Sequence, residues 1–264
     1  MGISSLHVMV EKMSHSAQKN VLIPLPATDF DPSESAIPWK ILTQRGVQVC
    51  FSTPDGNPAQ CDQRMLSGNG LGIFSPLLAA DKNARTAYQQ MERSKEFRNP
   101  LGWSQAQQKD WSGLLLPGGH APGMKPYLES DVLQKLVAEF FISNKPVAAI
   151  CHGVLLAARS QINGVSVLKN RKTTALLARQ ELMAWALTCL WLKNYYRTYP
   201  VTTEKEVRSC LSSSNDFLSG PLTLKRDSLD NLKAGFTVCD ENYLSARWPG
   251  DAHKFAVDFS AMLF

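Results

Sequence analysis

The segment Val147-Ala148-Ala149-Ile150-Cys151-His152-Gly153-Val154-Leu155-Leu156-Ala157-Ala158 constrains this chain more than any other. A buried strand runs straight into an apolar helix with no polar loop between them. Cys151 therefore sits on the turn. Small residues two before and two after it, Ala149 and Gly153, let the strand and helix backbones approach closely, the steric logic of a nucleophile elbow. A thiol at a helix N-terminus is favoured as thiolate by the helix dipole and free N–H groups, and those N–H groups can stabilise an oxyanion. The plainer reading is a buried core cysteine at a tight turn. The other five cysteines (50, 61, 189, 210, 239) show no C-x-x-C pair and no metal-like spacing with histidine.

Around this elbow, short apolar runs alternate with helical patterns, as in βα units of a mostly parallel sheet. Strands are expected at Val21–Leu25, Val47–Ser52, Gly113–Pro117, Pro146–Ile150, Ala234–Cys239 and Tyr243–Ala246. Pro24 is awkward in a central ladder, so the first strand is expected to end early there. Helices are expected near Ser35–Arg45, over Asp131–Ser143 and over Ala252–Leu263. Residues 76–110 read as an inserted, charge-mixed helical excursion that overhangs the strand ends. Residues 180–200 read as a second helical addition, and 209–221 as an exposed loop. The whole of 1–264 is read as one domain with insertions at about 76–110 and 180–230.

The balance of 28 Lys and Arg against 23 Asp and Glu leaves a formal charge of +5, without the basic stripe that nucleic-acid binding needs. No apolar run is long enough to span a bilayer. The first 20 residues lack a secretory apolar core. Met1-Gly2 only partly matches a myristoylation start, because Leu6 stands where Ser or Thr is wanted. A cytoplasmic protein is the expectation.

Three further features gather near the elbow. Pro117-Gly118-Gly119-His120 ends the preceding strand, where Gly118 and Gly119 suit an anion-binding turn and His120 either lines the crevice or sits on a surface loop. Glu34 stands at a helix start just after the first strand, either as a first-turn acid complementing the dipole or as a carboxyl beside the Cys151 sulfur. PGGH, AICHG and the C-terminal NYLSARWPGDAHKFA, together with Glu34-Ser35-Ala36-Ile37-Pro38, resemble the DJ-1/PfpI superfamily, related to class I glutamine amidotransferase domains.

The resemblance spans roughly residues 20–175 and 234–260. It implies an α/β, flavodoxin-like three-layer sandwich with Cys151 as nucleophile. Glu34 would be its protonated carboxyl partner, holding the thiol pKa down. His152 would serve as acid/base, and Gly119 with the His152 N–H would form the oxyanion hole. Enlarged Hsp31-like members pair the histidine with an acid from a later segment. Glu181 falls roughly there, or is simply a helix N-terminal acid. No cofactor and no metal ligands are implied.

Three functions remain open at this point. The first is a cysteine-dependent enzyme acting on a small carbonyl, as in glyoxalase III (methylglyoxal to lactate) or deglycation. The second is a PfpI-like amidase or peptidase using Cys151 and His152. The third is a redox sensor or chaperone built on an oxidisable Cys151. A homodimer is expected by analogy, with Trp185, Trp191, Tyr195 and Tyr196 available either to an interface or to the core.

Overall fold

The structure, a computed structural model, describes residues 18–264. The readings made on the first 17 residues lie outside it. Among the described residues seven strands form the central sheet: β1 (Asn20–Pro24), β2 (Gln48–Thr53), β3 (Leu101–Gly102), β4 (Gly113–Leu116), β5 (Val147–Ile150), β6 (Thr237–Asp240) and β7 (Tyr243–Ala246). Their spatial order is β6-β7-β5-β4-β1-β2-β3. All neighbours run parallel except β6 and β7, which form an antiparallel hairpin at one edge. The inner strands β4 and β5 are buried at every residue, as a sheet covered on both faces demands.

The principal helices are α1 (Pro32–Gln44), α2 (Lys82–Arg93), α3 (Asp131–Ile142), α4 (Gly153–Arg159), α5 (Ala178–Leu192), α6 (Thr203–Cys210) and α7 (Ala252–Leu263). α1 packs on α2 and α7 to make one helical layer, and α3 packs on α4 in the other. The expected mostly parallel, flavodoxin-like α/β sandwich is therefore the observed architecture. β1 ends at Pro24, short of Leu25 as expected; Pro24 lies opposite Ser52, and the Leu25 N–H still donates to the Ser52 carbonyl at 2.7 Å. A proline at a strand's last residue removes a single donor, which this register tolerates.

Residues 76–110 are not an excursion. Their helix α2 turns Ala84, Ala87, Tyr88 and Met91 into the core. Phe97 packs edge-on against Phe51, and Leu101–Gly102 supplies the edge strand β3. The segment's start does overhang, because Leu77 and Leu78 face the cavity described below. The 209–221 stretch is largely irregular, as expected, but Phe217 is buried within it and bridges to Thr173. Among the described residues no helix is long and apolar enough to cross a membrane.

Candidate active site

Parallel sheets expose their sites where the strands end at their carboxyl edge. β1, β4, β5 and β7 all end on that side. Asp31 follows β1 as the N-cap of α1, its carboxylate accepting from the Ser33 and Glu34 N–H groups at 2.7 and 3.0 Å. With Pro32 at the first helical position, which suits its fixed φ, this cap places Glu34 on the first turn with its side chain over the end of β4. The Asp31 N–H donates to the Gly118 carbonyl at 2.9 Å, and the Gly118 N–H donates to Glu34 Oε2 at 2.9 Å. α1 and β4 are thus stitched together at the point where the elbow passes.

The elbow itself is strained. Cys151 has φ +58°, a left-handed conformation costly for any residue with a Cβ. Its N–H continues the ladder to the Ala246 carbonyl at 3.1 Å. Gly153 is required behind it, since a Cβ there would lie 2.2 Å from the Leu116 carbonyl oxygen. Gly118 is required in front. A Cβ there would lie 2.7 Å from Glu34 Oε2, 2.8 Å from the His152 nitrogen and 2.9 Å from Cys151 Cβ. That one crowded point shows how closely the thiol, the carboxyl and the helix N-terminus converge.

Burial governs the protonation of this cluster. It pushes Glu34, which is wholly buried, well above the usual carboxyl range, and the Asp31 carboxylate adds to the effect. It also pushes the Cys151 thiol up, with Glu34 and Asp31 contributing in the same direction. The resting pair therefore holds its protons. The dipole-favoured thiolate expected from the sequence is outweighed by desolvation, as happens for a charge taken out of water. Asp31 itself is raised to about 6 by burial.

His152 sets a neutral ring beside this thiol. Its Nδ1 lies 3.5 Å from Cys151 Sγ, and its Nε2 lies 3.3 Å from Thr198 Oγ1. Thr198 Oγ1 also lies 2.6 Å from the His120 carbonyl oxygen. A carbonyl oxygen only accepts, so the single hydroxyl proton points there, and toward His152 the hydroxyl oxygen accepts. This network assigns the proton to Nε2 and leaves the Nδ1 lone pair facing the thiol. Burial holds the ring neutral, with a pKa lowered to about 3.

Above Cys151 lies a cavity of about 90 Å³, room for a molecule of a few heavy atoms. Glu34, Gly119 and His120 line it, as do Met65, Leu176 and Met183, so its wall is largely apolar with a few polar points. Such a pocket is the default site for a small ligand. Among the described residues no group of three or more His, Cys, Asp or Glu side chains is arranged to hold a metal ion.

The model of the group described as ThiJ/PfpI family-like matches residues 25–221, the span that carries α1, the Gly118-Gly119 turn and the elbow. The chain belongs to the ThiJ/PfpI family. It is 29% identical over 147 residues to an uncharacterized protein of Schizosaccharomyces pombe, a match covering 55% of this chain and 52% of that one. It is 26% identical over 147 residues to a glutathione-independent glyoxalase of the same yeast, covering 54% and 58%. The chain spans about half the length of these curated relatives. Among solved structures, glyoxalase III from Candida albicans superposes with a TM-score of 0.64 at 16% identity, covering 92% of this chain and 97% of that one. At that identity the likeness shows the fold alone.

Within this ThiJ/PfpI framework the expected site residues separate. Cys151, Glu34, Gly119 and His120 meet at the cavity, and His152 stands directly behind the thiol. Gly118 is absent from the oxyanion side, because its N–H is committed to Glu34. Glu181 does reach the cavity wall, but it is not the acid behind His152. Its carboxylate accepts from the Thr203 N–H at 3.0 Å and pairs with Arg197 at 3.2 Å, joining α5 to the start of α6. His120 is buried, stacked on Tyr196 at 4.3 Å and edge-on to Tyr195 at 4.8 Å. Tyr196 therefore serves the site wall and Tyr195 packs edge-on against it, whereas Trp191 remains half-exposed on α5.

Two residues that matter were missed. Asp31 had a legible signal, since Asp-Pro-x-Glu is an N-cap followed by a first-turn acid. Thr198 had none. It reaches His152 from 46 residues away, out of the irregular stretch after α5.

Proposed function

We propose that this ThiJ/PfpI protein is a glutathione-independent glyoxalase, converting a small α-oxo aldehyde and water to a 2-hydroxy acid. One observation carries the reading: a thiol on a strained elbow, between a protonated carboxyl and a bare imidazole nitrogen, opens on a cavity sized for a few heavy atoms. The reaction needs a nucleophile and two groups that exchange protons in turn, and these three supply it.

Cys151 sulfur attacks the aldehyde carbon, and its proton passes to His152 Nδ1. The carbonyl electron pair moves to oxygen beside the Gly119 and His152 N–H groups, and that oxygen takes the Glu34 proton. A hemithioacetal results. The Glu34 carboxylate then removes the hydrogen from that carbon, and the released pair forms the carbon–carbon double bond of an enediol as its second oxygen takes the proton held by His152. The enediol collapses. Its first hydroxyl returns a proton to His152, and the second carbon takes one from Glu34, leaving a 2-hydroxy thioester. Water adds to the thioester, giving a proton to Glu34, and the sulfur leaves with the proton from His152. Enzyme and protons are restored, and methylglyoxal plus water has become lactic acid.

An amidase reading calls for a carboxylate behind His152, whose ring instead meets the Thr198 hydroxyl. A redox-sensor reading calls for an exposed thiolate, whereas Cys151 is buried and its thiol pushed up. Neither is favoured. The test is lactate formation from methylglyoxal without glutathione. Wild type is expected to form it and Cys151→Ala to fall to the uncatalysed rate. Equal rates in the two proteins overturn the reading.

A further inference from the structure

Residues of the cavity lining carry buried polar atoms that the aldehyde chemistry leaves unused. Among the described residues Glu34 Oε1, His120 Nε2, Gln180 Oε1 and Trp248 Nε1 have no hydrogen-bond partner. All four residues line the same cavity and are at least nine-tenths buried. Glu34 belongs to the chemistry already described, and His120 to the wall it shares with Tyr196. Trp248 and Gln180 belong to neither, and unmet buried polar atoms of this kind call for a partner.

Arg226 stands beside Trp248. Its guanidinium carbon lies 5.4 Å from the Trp248 ring centroid, and it lines the cavity. One edge of the guanidinium is anchored, Nη2 donating to the Ala79 carbonyl at 2.9 Å and approaching the Leu77 carbonyl at 3.5 Å. Among the described residues it forms no ion pair with a carboxylate. The two acids that feel its charge are otherwise occupied: Asp31 caps α1 and Glu34 holds the Gly118 N–H. A half-buried guanidinium held by backbone carbonyls, stacked on an indole and lacking a counter-ion, is suited to take a planar two-oxygen anion.

We propose that Arg226, held against the Trp248 ring, forms a carboxylate subsite in the cavity wall, and that the substrate is an α-oxo aldehyde that also carries a carboxylate. The proposal rests on the glyoxalase reading for the aldehyde half and on Arg226 and Trp248 alone for the anion half. The apolar side chains of the lining would exclude water from the carbon skeleton, and Arg226 would orient it.

The experiment compares pyruvate with pyruvamide, its neutral isostere, by titrating the methyl signal of each in saturation-transfer NMR against the whole protein. This readout needs no turnover, so a protein that binds pyruvate but makes no lactate from methylglyoxal would refute the glyoxalase reading and leave the subsite standing. Wild type is expected to prefer pyruvate by about tenfold, the scale of one charge-assisted pair. Arg226→Gln is expected to bind the two alike, and Arg226→Lys, which keeps the charge without the fork, to recover part of the preference. Circular dichroism confirms that each variant is folded. Equal binding of the two compounds by wild type, no binding of either, or a preference that survives in folded Arg226→Gln overturns the subsite.

Discussion

The wall of the cavity that carries Cys151 is fixed by close backbone approach, whereas the wall facing it is assembled from side chains of separate segments. On the first, β4, β5 and the N-terminus of α1 converge, and glycine is dictated at 118 and 153 by neighbouring atoms under 3 Å away. On the second, Leu77, Gln180, Tyr196, Arg226 and Trp248 come from separate segments and meet only through tertiary packing. The first wall is rigid and fixes where a bond can form. The second rests on side-chain packing alone, and in a fold that hosts many activities such a wall is open to variation and suited to set substrate choice.

The sharpest way to break this contrast is Gly153→Ala. The new methyl would meet the Leu116 and Pro117 carbonyl oxygens at 2.2 and 2.7 Å, both backbone atoms of the neighbouring strand end. Neither can rotate away, so the elbow must shift. A loss of about 3 kcal/mol or more in urea unfolding is expected, with lactate formation lost as the thiol leaves its place. A loss below about 1 kcal/mol would mean that this wall yields as readily as the other.

Thr198→Val comes next and tests whether the side-chain wall reaches into the chemistry. Valine keeps the shape and removes the acceptor of the His152 Nε2 proton. Lactate formation is expected to fall by about ten- to a hundredfold, the cost of an unmet buried donor. The pH dependence of Cys151 alkylation is expected to move with it, because Nδ1 is no longer held as the free nitrogen. Thr198→Ser, which keeps the hydroxyl, is expected to restore both. A purely structural role for Thr198 would lower stability without moving the alkylation profile.

The difference between the walls also explains what could be read in advance. The elbow and the Gly118-Gly119 turn were legible because close backbone approach forces small residues at fixed spacings, and fixed spacings are what a chain displays. The strands were legible through their apolar runs. Residues 76–110 were misread although Ala84, Ala87, Tyr88 and Met91 keep helical spacing, since the charged residues between them mask a narrow apolar stripe. β3, two residues long, has no period to show. Thr198 and Arg226 leave no mark in the chain, because a lone threonine or arginine acquires its role only from what folds against it. The thiol's protonation was misjudged for a similar reason: the helix end is visible in sequence, and the burial that outweighs it is not.

A third test is pH-dependent and bears on His120, where the two walls touch. Burial lowers its pKa from 6.5 to about 3. Between those values the unfolded chain binds a proton that the native protein refuses, so stability rises with pH across the window. The contribution is fully present above pH 6.5 and is lost as pH falls toward 3. His120→Phe keeps an aromatic ring against Tyr196 and has nothing to titrate. Acid unfolding followed by circular dichroism should show the variant gaining on wild type below pH 6.5, by up to about 1.4 kcal/mol per pH unit. Asp31, raised to about 6, works in the opposite sense in both proteins, and His152, lowered to about 3 by burial and in part by His120, works in the same sense, so the comparison reads His120 together with its effect on His152. Parallel pH profiles would mean that His120 is hydrated and the junction of the walls is open.

The smallest effect is expected at Glu181, and it decides whether the facing wall has a frame of its own. Its carboxylate ties α5 to the first N–H of α6 and to Arg197, one residue before Thr198. Glu181→Gln keeps an acceptor for the Thr203 N–H and removes the charge opposite Arg197. A loss of about 1 kcal/mol in thermal unfolding is expected, with lactate formation reduced no more than about threefold. If the variant instead behaves like Thr198→Val in the alkylation profile, the Glu181–Arg197 pair sets the position of Thr198 and, through it, of His152. The facing wall would then be coupled to the thiol by a chain of contacts running from Glu181 to His152, and its freedom to vary would stop at that chain.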